Sequence, residues 1–245
     1  MKAMIFAAGL GTRMKPLTDS IPKALVEVDG SPLLELVIRR LKLFGIKEII
    51  VNVHYLADQI EAFLQRNDNF GISITISDER EQLLDTGGGL QKAGWFFSDG
   101  QPFLICNTDI LSNIDIEALA AFHHSTSAIA TLAVQQRKSS RYLLFDQKRI
   151  LSGWLNTTKG EVRLCRTSEK DLKMHAFSAF QIVNPAIFRY FPKDKVVFSI
   201  IDTYLQAAQH ELIAGFEHND DLWIDVGTRE KIAEAATIVK SIPLG

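Results

Sequence analysis

A chain of 245 residues suits one large α/β domain or two small ones, with a sizeable apolar core. A formal charge of −2 supplies no bulk field for nucleic acid or an anionic membrane, so phosphate binding has to come from a local site. The two cysteines, Cys106 and Cys165, lack metal-ligand spacing, which argues against a disulfide framework or structural zinc and suits a reducing compartment.

The apolar start MKAMIFAA is short and runs straight into glycines and cations, so it reads as a buried strand over residues 2–8, not a signal peptide. Helical spacing through Leu33, Leu36, Val37, Arg40, Leu41 and Phe44 predicts a helix over 32–44, with Ser31 as N-cap and Gly45 as the stop. A strand follows over 48–53, a helix over 56–65 and a strand over 72–77. Residues 86–97 are Gly-rich and then helical; 103–106 is a strand, 115–124 a helix and 129–134 a strand. These five alternations argue for a doubly wound, mostly parallel α/β sheet of Rossmann-like kind. Ligands of such sheets bind beyond the carboxyl ends of the strands, which directs attention to the loops after Ala8, Ser77 and Cys106.

After residue 136 the pattern changes. A hairpin is expected from 142–145 and 150–154, then a strand over 175–183, a helix over 197–209, a strand over 212–217 and a closing helix over 227–240. The expected organisation is one domain, 1–245, in two halves: 1–135, and a smaller C-terminal lobe of 136–245. No segment approaches the roughly 20 apolar residues needed to cross a bilayer, so a soluble, cytoplasmic protein with no membrane or nucleic-acid partner is expected.

The loop after the first strand, Gly9-Leu10-Gly11-Thr12-Arg13-Met14-Lys15-Pro16, is the most informative stretch. Its glycines let backbone N–H groups approach an anion, and Thr12 adds a hydroxyl donor. Arg13, Lys15 and Lys23 add cations of the density a triphosphate needs. Neither the third glycine of a dinucleotide fingerprint nor the Gly-Lys-Ser/Thr of a Walker loop is present. On glycines and charges alone, a surface turn with solvated cations fits equally well.

Three further segments stand at strand ends. Gly87, Gly88 and Gly89 would each cost about 1 kcal/mol relative to alanine inside a helix, so a tight turn or a close ligand approach is expected. Asp109 follows a buried strand, where a carboxylate can hold Mg²⁺ or cap a helix; Ser112, Asn113 and Asp115 are alternative caps. Asp225, before Gly227, offers the same choice.

The string AAGLGTRMKPLTDSIPKALVEVDGSPLLE closely resembles the signature of the sugar-1-phosphate nucleotidyltransferases, and scattered blocks continue the resemblance through the chain. The resemblance implies that Arg13 and Lys23 grip the triphosphate, and that the backbone of Ala7, Ala8, Gly9 and Gly11 lies against base and phosphates. It also implies nucleobase contacts from the backbone of Gly87 and Gly88, with Gln82 as the candidate for reading the base edge. Asp109 and Asp225, the latter in Trp223-Ile224-Asp225-Val226-Gly227-Thr228, match the two metal-binding aspartates; Thr108 stands where the family usually has glycine.

Residues 177–188 resemble the sugar-lining segment, with Ser178 and Ala179 as candidates and alanine in place of a common glycine. Lys159, Glu161 and Lys173 are weaker candidates for a sugar-phosphate pair.

Residues 1–135 would then form the nucleotide-binding half and 136–245 the sugar-binding half. The implied reaction is a Mg²⁺-assisted in-line displacement on a nucleoside triphosphate by a sugar 1-phosphate, in a monomer or small homo-oligomer. Within the family the chain is most similar to short bacterial members. The resemblance leans to uridylyl transfer to an amino-sugar 1-phosphate such as N-acetylmuramate 1-phosphate, with guanylyl transfer to mannose or heptose 1-phosphate as the alternative. Cytidylyl transfer to phosphocholine and a non-catalytic nucleotide-sugar-binding subunit are further alternatives. A glycosyltransferase would call for an Asp-x-Asp motif, and Asn107-Thr108-Asp109 lacks its first aspartate.

Overall fold

A computed structural model describes residues 1–166 and 171–244. In chain order it contains β1 (Ala3–Phe6), the short hairpin β2 (Glu27–Val28) and β3 (Ser31–Pro32), α1 (Leu33–Leu43), β4 (Glu48–Val53), α2 (Ala57–Arg66), β5 (Ser73–Asp78), α3 (Asp85–Lys92), β6 (Phe103–Asn107), β7 (Ile110–Ser112), α4 (Ile116–Ser125) and β8 (Ala130–Gln135). There follow β9 (Arg141–Phe145), β10 (Leu151–Asn156), β11 (Glu161–Leu164), β12 (Lys173–Val183), α5 (Ile200–Ala207), β13 (Ile213–Glu217), β14 (Trp223–Asp225) and α6 (Arg229–Ile238).

The chain divides into two compact units: Met1–Leu84 with Ile105–Ile114 and Asp221–Gly245, and Asp85–Leu104 with Asp115–Asp220. This division differs from the expected halves of 1–135 and 136–245. The physical reason is that the C-terminal segment folds back onto the first unit. Antiparallel β7 and β14 pair Ile110 with Asp225 and Ser112 with Trp223. Buried Arg40 of α1 donates to Ile114 O at 2.8 Å and to Pro243 O at 3.1 Å, fixing both returning segments to one helix.

In the first unit the strand order is β6-β1-β4-β5, with β6 contributing its 105–107 part. β1, β4 and β5 run parallel, Ala3 opposite Ile49 and Ile49 opposite Ile74. Ala3, Met4, Ile5, Ile49, Ile50 and Val51 are all fully buried, which is why these runs are continuously apolar and not alternating. α1 buries Leu33, Leu34, Leu36, Val37, Ile38 and Leu41 and ends at Gly45, whose φ of +71° a residue with a side chain would resist. Ser31 does not cap it: Ser31 lies in β3, and the first helical N–H, of Leu33, donates to Val26 O at 3.0 Å.

In the second unit β8 lies between antiparallel β12 and parallel β13, and β9, β10 and β11 continue antiparallel from β12. The fifth expected strand, β8, thus belongs to this unit, within the same ten-stranded sheet as β1, β4 and β5. β12 carries a register shift between Phe177 and Gln181. Gly87, Gly88 and Gly89 lie inside α3, against the expected turn. A Cβ at Gly87 would meet the Phe198 ring at 2.4 Å, so a protein side chain makes the close approach that glycine permits. None of the helices among the described residues is long and apolar enough to cross a membrane.

Candidate active site

The loop leaving β1 is shaped by Gly11, whose φ is +64° and whose missing Cβ would stand 2.8 Å from Thr18 Cγ2. Gly11 O accepts from Met14 N–H and from Thr18 Oγ1, both at 2.8 Å, closing the loop into short 3₁₀ turns at Thr12–Met14 and Leu17–Asp19. Met14 and Thr18 are buried beneath it, while Gly9, Thr12 and Arg13 are exposed. At Gly9 a Cβ would meet nothing within 4 Å. Of the three cations, Lys15 pairs with neighbouring Asp19 at 3.0 Å on the exposed face, leaving Arg13 and Lys23 to point elsewhere.

Lys23 forms an ion pair with Asp109, the two residues lying 86 positions apart in sequence. Their side chains are only 11% and 21% exposed, a setting in which an ion pair is screened far less than on the surface. Thr108, at the position where glycine was the family expectation, donates both its N–H and its hydroxyl to Phe6 O, at 3.1 and 3.0 Å. The hydroxyl therefore ties Thr108, and with it the turn that carries Asp109, to the end of β1. Asp115 caps α4 by accepting from Ala118 N–H at 2.9 Å, so Asp109 has no capping duty there.

Asp225 ends β14. Val226 N–H donates to Asp109 O at 2.8 Å, which joins the two aspartate segments through their backbones. Gly227 is buried, and a Cβ there would stand 2.6 Å from Arg13 Nη2 and 2.8 Å from Asp225 Oδ1. The guanidinium and the second carboxylate thus close over a position that only glycine fits. Arg13, Lys23, Asp109 and Asp225 all belong to the first compact unit. Gly227 as the residue that admits this convergence was not singled out from sequence, although the Asp-x-Gly spacing carried the signal.

Other candidates are placed differently. Ala7 and Ala8 are buried, and Ala7 N–H donates to Asn52 Oδ1 at 2.8 Å, so that amide is turned toward protein. Gln82 is exposed on a turn, its N–H donating to Glu79 O at 3.0 Å. The N–H groups of Gly87 and Gly88 donate to Phe198 O at 2.9 and 3.3 Å. The N–H groups of both are thus satisfied within the protein, which leaves other backbone atoms of Gly87 and Gly88 for the expected base contacts.

Ser178 is fully buried, its Oγ 2.8 Å from His218 Nε2. Ala179 adopts φ +61° at the β12 bulge, which explains in backbone terms why glycine would suit that position. Phe177 O, beside the bulge, accepts from Arg137 Nη2 at 2.7 Å. Ser178, Ala179, Gly87 and Gly88 belong to the second unit.

Two buried groups have shifted titration. Burial, with His124 nearby, lowers the His123 pKa to about 4, and its Nδ1 lies 2.9 Å from Thr131 Oγ1. Burial pushes the Cys106 thiol up to about 12, consistent with an inert core position. Among the described residues no cluster of three or more His, Cys, Asp or Glu could hold a metal; Asp109 and Asp225 offer two carboxylates, hard oxygen donors that suit Mg²⁺ completed by water and phosphate oxygens.

Comparison with known proteins places these features in a family. The sequence profile described as nucleotidyl transferase matches residues 2–241. An N-acetylmuramate alpha-1-phosphate uridylyltransferase of Neisseria meningitidis is 32% identical over 97% of this chain and 98% of its own length. A mannose-1-phosphate guanyltransferase of Yarrowia lipolytica is 29% identical over 93% of this chain but 61% of its own. The crystal structure of a UDP-glucose pyrophosphorylase complexed with UDP-glucose superposes with a TM-score of 0.76 at 17% identity, covering 98% of each chain, which speaks to the fold.

Proposed function

This chain belongs to the nucleotidyl transferase family, and from that premise we propose that it joins a nucleotidyl group to a sugar 1-phosphate with release of pyrophosphate. The observation that carries the proposal is the convergence of two cations and two carboxylates in one compact unit: Lys23 with Asp109, and Arg13 beside Asp225 over Gly227. Displacement at phosphorus needs positioning and charge neutralisation more than a covalent nucleophile, and this is the kind of residue set that supplies them.

In the proposed mechanism a phosphate oxygen of the sugar 1-phosphate attacks the α-phosphorus of the triphosphate from the side opposite the leaving group. The bond to the bridging oxygen breaks and pyrophosphate carries that electron pair away. Arg13 and Lys23 offset the charge that gathers on the departing pyrophosphate. The amides of residues 9–12 and the Thr12 hydroxyl hold the phosphates. Asp109 and Asp225 would hold Mg²⁺, which when bound polarises the α-phosphate. The Lys23–Asp109 pair holds the amine in place before substrate arrives. Gln82 is proposed to read the base, and the Ser178–Ala179 bulge to recognise the sugar.

For the substrate pair we favour a uridylyl group and an amino-sugar 1-phosphate of cell-wall chemistry, because the Neisseria relative aligns over nearly the whole of both chains. The test is pyrophosphate release with Mg²⁺ over a panel of triphosphates and acceptors. Release with UTP and N-acetylmuramate 1-phosphate is expected. Preferred turnover of GTP with mannose 1-phosphate, or of CTP with phosphocholine, would redirect the specificity. Release with no pair would sink the transferase proposal in favour of a nucleotide-sugar-binding subunit.

A further inference from the structure

The carboxyl ends of β1, β4 and β5 are tied by a chain of buried polar groups that none of the roles above uses. Ala7 N–H donates to Asn52 Oδ1 at 2.8 Å, and Asn52 Nδ2 donates to Glu79 Oε1 at 2.7 Å. Glu79 Oε2 accepts in turn from Leu84 N–H at 3.2 Å. Asn52 is 3% exposed and Glu79 only 1%, a depth at which a carboxylate is costly unless it is well hydrogen-bonded. The Glu79 backbone joins in: its N–H donates to Val53 O at 2.7 Å, and its carbonyl accepts from Gln82 N–H at 3.0 Å. That same carbonyl lies 2.6 Å from His54 Nδ1. Residues 79–82 therefore form a turn anchored at Glu79 and ending at Gln82.

The direction of this chain of bonds is fixed at both ends. Ala7 and Leu84 each offer a backbone N–H, which can only donate. The first sets the Asn52 amide so that its NH₂ faces Glu79, and the second approaches the other carboxyl oxygen. The group at 79 must accept from both sides, which a carboxylate does and a carboxamide of the same shape does not. A glutamine there would aim an NH₂ at one of two donors.

We propose that Glu79 is a positioning residue for the nucleoside triphosphate. Its carboxylate sets Ala7, at the root of the Gly9–Thr12 loop, and the turn that carries Gln82, so it governs triphosphate affinity and not the transfer step. The proposal rests on the nucleotide-binding part of the function proposed above.

Calorimetric binding of UTP to the full chain, with amide hydrogen exchange at Ala7 and Leu84, tests it without requiring turnover. Glu79→Gln is expected to weaken UTP binding at least about tenfold, the scale of losing a hydrogen bond to a charged group. Where turnover is measurable, the KM for the triphosphate rises while kcat and the KM for the sugar 1-phosphate stay within about twofold. Asn52→Asp alone sets two carboxylates face to face and is expected to do similar harm. The double variant Asn52→Asp with Glu79→Gln reverses the polarity of the middle bond: the carboxylate at 52 accepts from Ala7 N–H and from the amide at 79, whose oxygen accepts from Leu84 N–H. It is expected to bind UTP within about threefold of the parent, and to slow exchange at both amides again, a coupling that independent sites would not give. Unchanged UTP binding in Glu79→Gln, a double variant no better than the worse single, or no UTP binding by the parent chain each overturns the proposal. A parent chain that binds UTP but releases no pyrophosphate sinks the transferase proposal alone.

Discussion

The two compact units both bury hydroxyls and amides but differ in the charged side chains they bury. In the first, buried Arg40 and Glu79 are ionic, and the nearby Lys23–Asp109 pair is largely covered. In the second, the buried polar residues carry hydroxyl, amide and imidazole groups, such as Thr131, Gln135, Ser178, Gln181, His123 and His218. There Tyr204 donates to Gln181 Oε1 at 2.8 Å and His123 faces Thr131, partnerships that satisfy a core without placing a net charge in it. Burying charge is expensive and burying a satisfied hydroxyl or amide is not. The unit that retains buried charged side chains is also the one that holds Arg13, Lys23, Asp109 and Asp225, to which we assign the charged chemistry.

That contrast can be broken from either side. The largest effect is expected in the first unit: Arg13→Ala or Lys23→Ala should each lower kcat by about 10²–10³, the scale of removing one electrostatic stabiliser. Pyrophosphate release checks this, and near-parental turnover in both would remove the first unit's claim to the chemistry. Gly227→Ala comes next, because its Cβ would stand 2.6 Å from Arg13 Nη2. A misplaced guanidinium is expected to cost about 10²-fold in kcat/KM with little change in melting temperature. A variant that melts much earlier but turns over normally per folded molecule would mark Gly227 as structural only.

In the second unit the expected effects are on stability. The folded His123 has its pKa lowered to about 4, against an ordinary value of 6.5. Below pH 6.5 the unfolded chain takes up a proton that the folded one resists, so stability falls as the pH drops toward 4 and the loss is complete below that. Over this window the imidazole should cost about 3 kcal/mol, from the linkage of pKa to stability. His123→Asn, which keeps a polar group toward Thr131 without titrating, should flatten that part of the acid limb in denaturant melts; an unchanged limb would remove the charge argument. The smallest effect is at Ala179, whose φ of +61° strains a residue with a Cβ. Ala179→Gly should raise stability by about 0.5–1 kcal/mol, the left-handed penalty offset in part by glycine's extra freedom when unfolded. A lower melting temperature would show that the methyl packs well enough to outweigh the strain.

The first unit was also the more legible from sequence. Continuous apolar runs such as EIIVNV announce strands buried on both faces, and β4 occupies the six residues expected. The string from Gly9 to Lys23 carried the cations, and both aspartates were legible as carboxylates at strand ends. What could not be read was long-range: β7 and β14 are three residues each, too short for periodicity, yet their pairing brings Asp225 to Asp109. Glu79 and Asn52 look like ordinary polar residues at strand ends until their partners are known. In the second unit, local propensity misled. Three glycines argued for a turn, yet they lie in a helix, with the Phe198 ring packed where a Cβ of Gly87 would stand. β11 was missed because all four of its residues are exposed, so it has no buried face to generate a pattern.

The central claim is that Arg13 and Asp225, more than two hundred positions apart, act on one reacting centre. A double-mutant cycle on kcat/KM for pyrophosphate release, with Arg13→Ala, Asp225→Ala and the pair, reads it most directly. Groups serving one transition state are strongly non-additive, so the double variant should be within about tenfold of the worse single variant. Losses that simply add, to within about 0.5 kcal/mol, would mean that the two side chains work apart and would contradict a single site.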